Sequence, residues 1–208
     1  MPDGNKIAVL ISGGGTTLKN LIQWRDEENL IAKIELVISN NPAAGGLTYA
    51  SEANIPCLVV NHKKFEDVAE FSDAIFSAIQ AANIDLVVMG GFLRRLTIPT
   101  AYENRVINIH PSLIPAFCGK GFYGQKVHQA VIDYGCKLSG CSVHYVDDQY
   151  DHGPIIAQET VPVRTTDTAK TLAKRIFEKE CKVYPKVINA IIEGNVVIKD
   201  RCVEISES

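Results

Sequence analysis

The sequence predicts a single-domain, Rossmann-like open α/β sheet, mostly parallel with an antiparallel C-terminal part and helices on both faces. Three observations predict it. Short runs of branched aliphatics recur through the first half of the chain. Between them lie segments whose apolar residues repeat near the 3.6-residue helical period. Beyond residue 110 two strand-like runs follow one another with only a loop between them. The length, 208 residues, suits one substantial core, and 46% hydrophobic with 22% charged residues is an ordinary globular composition.

Taken in order, residues 7–12 read as a strand, GGGTT as a loop, and 18–28 as a helix. A second strand covers 34–39 and stops at the turn signal NNP. Residues 47–53 are helical and 57–60 form a third short strand. The apolar positions 65, 68, 71, 75, 76 and 79 predict a helix over 65–82. A strand at 85–89, a short helix near 97–104 and a strand at 105–109 complete this part. Within the single domain the chain divides into two halves, 6–110 and 111–200. In the latter, PAFCGKGFYGQ is a loop, 126–133 a helix, and SGCSVHYV and PIIAQETVPV two strands joined by DDQYDHG. The longest helix spans 168–193, with Asp167 or Thr168 as its cap and Gly194 as its stop; the last few residues read as frayed.

A net charge of −3 supplies no global field for nucleic acid or a membrane surface, so an anionic ligand must be held by local chemistry. The opening MPDGNK–IAVLIS lacks signal-peptide organisation, and its apolar run is too short to span a bilayer. Six cysteines at irregular gaps, with no CxxC pair, read as reduced thiols in a cytoplasmic protein, and no metal is expected.

The loop after the first strand, ISGGGTTL, is no dinucleotide fingerprint: the third glycine of GxGxxG falls on Leu18, and SNN stands where the ribose-binding acid would be. It is no Walker loop either, since no GK[ST] follows. What remains is a glycine turn at a helix N-terminus with the hydroxyls of Thr16 and Thr17, a geometry suited to one phosphate. A tight turn using glycine only for its dihedrals accounts for the loop equally well.

VINIHPSLIP raises a sharper question, because two polar side chains close an otherwise aliphatic strand. Alternation puts Asn108 and His110 on one face, ~7 Å apart, at the carboxyl edge where open α/β sheets bind ligands. An asparagine amide can donate to an oxyanion, and an imidazole can move protons near neutral pH. The acids Asp147, Asp148 and Asp151 of the following loop could each orient the ring and favour its charged form. Residue types alone leave the choice among the three open. His144 and His152 have no third ligand at metal spacing. In the last helix, Glu180 falls within the apolar stripe Ala169, Ala173, Ile176, Val183, Val187 and Ile191, so either it pairs or meets a hydroxyl-bearing ligand such as ribose, or the stripe is shifted and Glu180 lies at its margin.

Together, ISGGGTTL, GGFLRRL, INIHPSLIP and GCSVHYVDDQYDHGPII resemble the phosphoribosylglycinamide formyltransferases, folate-dependent one-carbon transferases, over about residues 7–185. The resemblance implies the formyltransferase fold and transfer of a formyl group from 10-formyltetrahydrofolate to glycinamide ribonucleotide in purine biosynthesis, with no metal. It implies Asn108, His110 and Asp151 as catalytic residues; Gly15, Thr16 and Thr17 for the phosphate; and Glu180 for the ribose. Leu93, Arg94, Arg95 and Leu96, with Asn108, would meet the folate. Partners are then small molecules, with no nucleic acid or membrane, and the protein a monomer or weak homodimer.

The sequence departs from the family at Gly14, often Asn or Thr; at Thr16-Thr17, often Ser-Asn; at Val68, where the family has an arginine near the folate tail; and in GKGFYGQKVH, a longer loop. Rival readings are a formyltetrahydrofolate hydrolase, a sugar-amine or methionyl-tRNA formyltransferase, or a non-catalytic nucleotide-binding module.

Overall fold

The computed structural model describes residues 5–206. Its elements are β1 (Lys6–Ile11), α1 (Thr16–Asp26), β2 (Lys33–Ser39), α2 (Gly46–Glu52), β3 (Cys57–Val59), α3 (Val68–Ala81), β4 (Leu86–Met89), β5 (Val106–His110), α4 (Gln125–Tyr134), β6 (Leu138–Tyr145), β7 (Ile155–Pro162), α5 (Ala169–Ile192), β8 (Val196–Lys199) and β9 (Cys202–Ile205). Seven strands form a sheet in the order β3-β2-β1-β4-β5-β6-β7, and β8 and β9 a separate pair. The chain packs as two compact units that divide between Ile107 and Asn108.

In the first unit, β1 pairs in parallel with β2 on one side and β4 on the other, and β2 pairs in parallel with β3. Ile7 to Ile11 are fully buried, which is why this run is aliphatic throughout rather than alternating. The strand order turns at β1, so the loops leaving β1 and β4 flank a topological switch point. Helix α1 begins at Thr16, two residues before the expected start, because Gly15 at φ 70° turns the chain directly into it.

Helix α3 begins at Val68 rather than 65. Asp67 caps it by accepting from the Glu70 amide, and Phe65 is extended after a 3-10 turn at His62–Lys64. Its buried Phe71, Ile75, Phe76 and Ile79 keep the predicted face. The helix expected at 97–104 shrinks to one 3-10 turn, Thr100–Tyr102. Pro99 holds the preceding residue out of helical conformation, and Asn104 at φ 56° ends the turn.

In the second unit, β6 and β7 pair antiparallel, Leu138 opposite Pro162 through His144 opposite Ile155. Gly140 is required there: a Cβ would fall 1.9 Å from the Glu159 carbonyl. Thr168 caps α5 in a reciprocal box with Thr171. Gly194 at φ 77° follows its end, as predicted. The buried stripe of α5 is Leu172, Ile176, Tyr184, Val187 and Ile188, rotated from the predicted one: Ala169, Ala173, Val183 and Ile191 are only partly covered. Glu180 continues the four-residue ladder between Ile176 and Tyr184.

Beyond Gly194 the chain forms the β8–β9 hairpin, so the fraying expected of the last few residues does not reach back to Ile205. The hairpin's two-residue turn has no glycine to announce it; Asp200 supplies the positive φ, 56°. Residues 207–208, at the very end of that expectation, lie outside the described residues. Among the described residues no helix is long and apolar enough to cross a membrane.

Candidate active site

Strand β5 delivers Asn108 and His110 to its carboxyl end, and both are held by groups of the same unit. The Asn108 amide nitrogen lies 3.2 Å from His144 Nε2. His144 Nδ1 lies 2.7 Å from the Tyr145 carbonyl, which can only accept, so Nδ1 carries the hydrogen. In the neutral ring Nε2 is then an acceptor, and the Asn108 amide is oriented with its NH₂ towards it. Burial holds His144 below its usual pKa, against the raising pull of the Tyr145 carbonyl and Asp151, which keeps the ring neutral. One Asn108 hydrogen is thereby used and the other is left for a ligand.

His110 is 4% exposed. Its Nε2 lies 3.0 Å from the Phe117 carbonyl and therefore carries a hydrogen too. Nδ1 faces Asp151 Oδ2 at 3.5 Å, while Asp151 Oδ1 is 3.7 Å from His144 Nε2. Both distances exceed a direct hydrogen bond and fit contact through a water or a small substrate group. Asp151 itself sits at φ 51°, and its Oδ2 accepts from the Gly119 amide at 2.8 Å.

Of the three acids the sequence offers, geometry thus brings Asp151 to the ring. Asp147 instead pairs with His152 at 2.7 Å, and Asp148 is exposed. The turn after His110 is buttressed by Ser142, whose hydroxyl donates to the Ser112 carbonyl at 2.7 Å and accepts from Ile114 N at 3.0 Å and Gln158 Nε2 at 2.8 Å.

Residue types did not place four neighbours at this cluster: His144, considered only as a metal ligand, His128, and the backbone groups of Phe117 and Gly119. His128 on α4 is buried with its Nδ1 unpartnered; burial first, then the His110 charge, push it down to about 4. For His144 the available signal was a histidine within the strand-like run SGCSVHYV, beside the loop acids. Backbone donors and acceptors leave no signature in residue type.

In the first unit, Gly15 must be glycine on two grounds: φ is 70°, and a Cβ would stand 2.4 Å from the Gly46 Cα. Gly13 and Gly14 differ, having negative or extended φ and open space where a Cβ would be. Nothing in the protein's own packing demands glycine there, whereas a ligand approaching the backbone would. No side chain caps α1, so its first amides and the hydroxyls of Thr16 and Thr17 line an anion-favouring helix end.

The segment after β4 is tied to this loop: Ser12 Oγ accepts from Leu93 N at 2.8 Å, and Ser12 N donates to the Gly91 carbonyl at 3.2 Å. Leu93, Arg94 and Arg95 are exposed, but the Leu96 side chain is buried, so only its backbone is open to a ligand. The SNN that displaces an acidic residue is also explained. Asn40 accepts from the Ser12 hydroxyl at 2.6 Å and lies 3.3 Å from His62 Nδ1.

Glu180, on the second unit's α5, meets no hydrogen-bond donor among the described residues, and burial pushes its carboxyl up to about 7. Among the described residues no group of three or more His, Cys, Asp or Glu side chains is placed to hold a metal ion.

The sequence model of the formyl transferase family matches residues 5–188. A phosphoribosylglycinamide formyltransferase of Haemophilus influenzae is 38% identical over 94% of this chain and 91% of its own length. The chloroplastic enzyme of that name from Vigna unguiculata is 35% identical over 98% of this chain, and the human trifunctional purine biosynthetic protein adenosine-3 is 39% identical over 92%. The chain spans 66% of the plant protein's length and 19% of the human one's.

Among solved structures, glycinamide ribonucleotide transformylase 1 from Symbiobacterium toebii superposes with a TM-score of 0.93 at 36% identity, covering all of this chain and 96% of that one. A formyltetrahydrofolate deformylase from Pseudomonas syringae, at 24% identity and TM-score 0.86 over 99% of this chain and 67% of its own, shares the fold. By the extent of the family match and the full-length bacterial relative, the chain belongs to the formyl transferase family, as one of its phosphoribosylglycinamide formyltransferase-like members.

Proposed function

We propose that the protein transfers the formyl group of 10-formyltetrahydrofolate to the amine of glycinamide ribonucleotide, as a single formyltransferase domain of the cytoplasm. The observation that carries this reading is the convergence of an amide donor, a buried imidazole and a carboxylate at one strand end: His144 orients the Asn108 amide, and Asp151 Oδ2 stands 3.5 Å from His110 Nδ1. The names of its relatives support the substrates.

In this reading the amine nitrogen attacks the formyl carbon, forming a C–N bond and placing the electron pair on oxygen. The free Asn108 hydrogen donates to that oxyanion, in a setting where one such donor is worth about 10²–10³-fold in rate. His110, its Nε2 hydrogen occupied by the Phe117 carbonyl, takes up a proton at Nδ1 beside Asp151. Its positive charge stabilises the same oxygen. The amine proton leaves through water to the Asp151–His110 pair and reaches the folate nitrogen as the carbonyl re-forms and the C–N bond to folate breaks. Gly15, Thr16 and Thr17 take the phosphate, Glu180 the ribose hydroxyls, and residues 93–96 the folate ring system.

The test is to mix protein, formyl-folate and glycinamide ribonucleotide and follow the folate absorbance, with the ribonucleotide omitted in parallel. Turnover only with the ribonucleotide supports the reading. Equal turnover without it indicates a hydrolase, and none in either arm a binding module.

A further inference from the structure

The β8–β9 hairpin lies beyond the residues matched by the family model, which end at 188, and beyond every residue assigned a role above. Its turn nevertheless reaches the catalytic acid's loop: Arg201 Nη2 donates to the His152 carbonyl at 2.6 Å, across 49 positions of sequence. Strand β9 packs beside β7, the strand that leaves this loop.

We propose that Arg201 is a positioning residue for the formyl transfer, clamping the 147–153 loop so that Asp151 keeps its place beside His110. The inference rests on the proposed reaction. The loop has reason to need a clamp. Asp151 holds a left-handed φ of 51°, a conformation open to aspartate but less stable than its right-handed alternatives. Three fixtures enforce it from within the same unit. Asp147 Oδ1 accepts from Gln149 N at 2.9 Å while its Oδ2 holds His152 Nδ1 at 2.7 Å. Gly153 lies so close to the Tyr145 carbonyl that a Cβ would be 2.0 Å from it. The Gly119 amide holds the Asp151 carboxylate at 2.8 Å.

The first fixture is an exposed ion pair and weak alone, and the second pins the loop's exit without fixing residue 151. Arg201 fastens the carbonyl of the next residue, His152, in the peptide one beyond those flanking Asp151, and so limits how far the segment that carries Asp151 can turn. The Asp151–His110 contact, at 3.5 Å, has no close bond of its own to hold it, so small loop movements change it directly.

The test compares Arg201→Ala, Arg201→Lys and Lys199→Ala with the wild type. Lys199 belongs to the same hairpin and, among the described residues, its side chain pairs only with Glu204, at 3.9 Å, so its removal perturbs the hairpin without touching the clamp. One lost hydrogen bond predicts a fall in kcat of roughly three- to tenfold for Arg201→Ala, with KM for both substrates unchanged. Arg201→Lys, which offers one donor of similar reach, recovers most of the loss, and Lys199→Ala stays at the wild-type rate.

An independent readout is hydrogen exchange at the Gly119 amide, which bonds Asp151. It speeds up by a similar factor in Arg201→Ala, whether or not the substrates are those proposed. Unchanged kcat and Gly119 protection in Arg201→Ala overturn the proposal. So does a Lys199→Ala variant as impaired as Arg201→Ala, an unrescued lysine variant, or an effect confined to KM. Failure of the proposed reaction itself would instead appear in the wild type, as absent transfer.

Discussion

Glu180→Gln separates a ligand-seeking carboxylate from a merely tolerated one. Burial raises the Glu180 carboxyl from 4.5 to about 7, so between those values the folded protein binds a proton that the unfolded chain has released. Stability from this group is therefore complete below about 4.5 and is lost as pH rises through 7. A gap of about two and a half pH units at 1.36 kcal/mol each gives an upper value of about 3 kcal/mol; because the residue keeps some exposure, roughly 1–3 kcal/mol is expected.

His128 works in the opposite direction. Burial holds it at about 4 against 6.5, so its contribution is present above 6.5 and lost as pH falls towards 4. The raw pH slope of the wild type mixes the two, and the difference between Glu180→Gln and wild type isolates Glu180. In urea denaturation at pH 5 and pH 8, the variant should gain roughly 1–3 kcal/mol on the wild type at the higher pH. Ribose hydroxyls donate best to the ionised carboxylate, so the wild-type KM for the ribonucleotide should also fall as pH rises through 7, and that trend should vanish in the variant. Parallel stability curves would refute the burial argument, and a pH trend in KM that survives the substitution would refute the ribose assignment.

Asn108→Ala and His110→Ala should each lower kcat by about 10²-fold or more with little change in KM, measured by steady-state folate absorbance; a loss confined to KM would remove them from the chemistry. Gly15→Ala forces a Cβ against the Gly46 backbone at a positive φ, so thermal unfolding should show a loss of at least about 2 kcal/mol, with weakened ribonucleotide binding. Val68, exposed at the first position of α3, should accept Arg without loss of stability; Val68→Arg should lower KM for a folate carrying extra glutamates more than for the monoglutamate.

Strands β1 and β4 were legible because they are buried on both faces and announce themselves as unbroken aliphatic runs. Both ends of α5 were legible because the residue types there, Thr168 and Gly194, mark them. Helix ends were misplaced where the deciding group was one residue's dihedral, as at Gly15, or a proline's effect on its neighbour, as at Pro99. The β8–β9 hairpin stayed hidden because an aspartate performs the turn usually given to glycine. At the site, the polar pair closing β5 was readable, since nothing in an aliphatic strand accounts for it. Choosing Asp151 needed either the resemblance or the distances, because all three loop acids read alike. His144 was seen and set aside as a poor metal ligand, while its place beside Asn108 depends on pairing between strands.

The most direct test of the account is a double-mutant cycle on kcat with His110→Ala, Asp151→Ala and the combined variant. If the imidazole and carboxylate move one proton as a unit, the double variant should be no slower than the worse single one, within about threefold. Losses that multiply would show two independent residues and contradict the account.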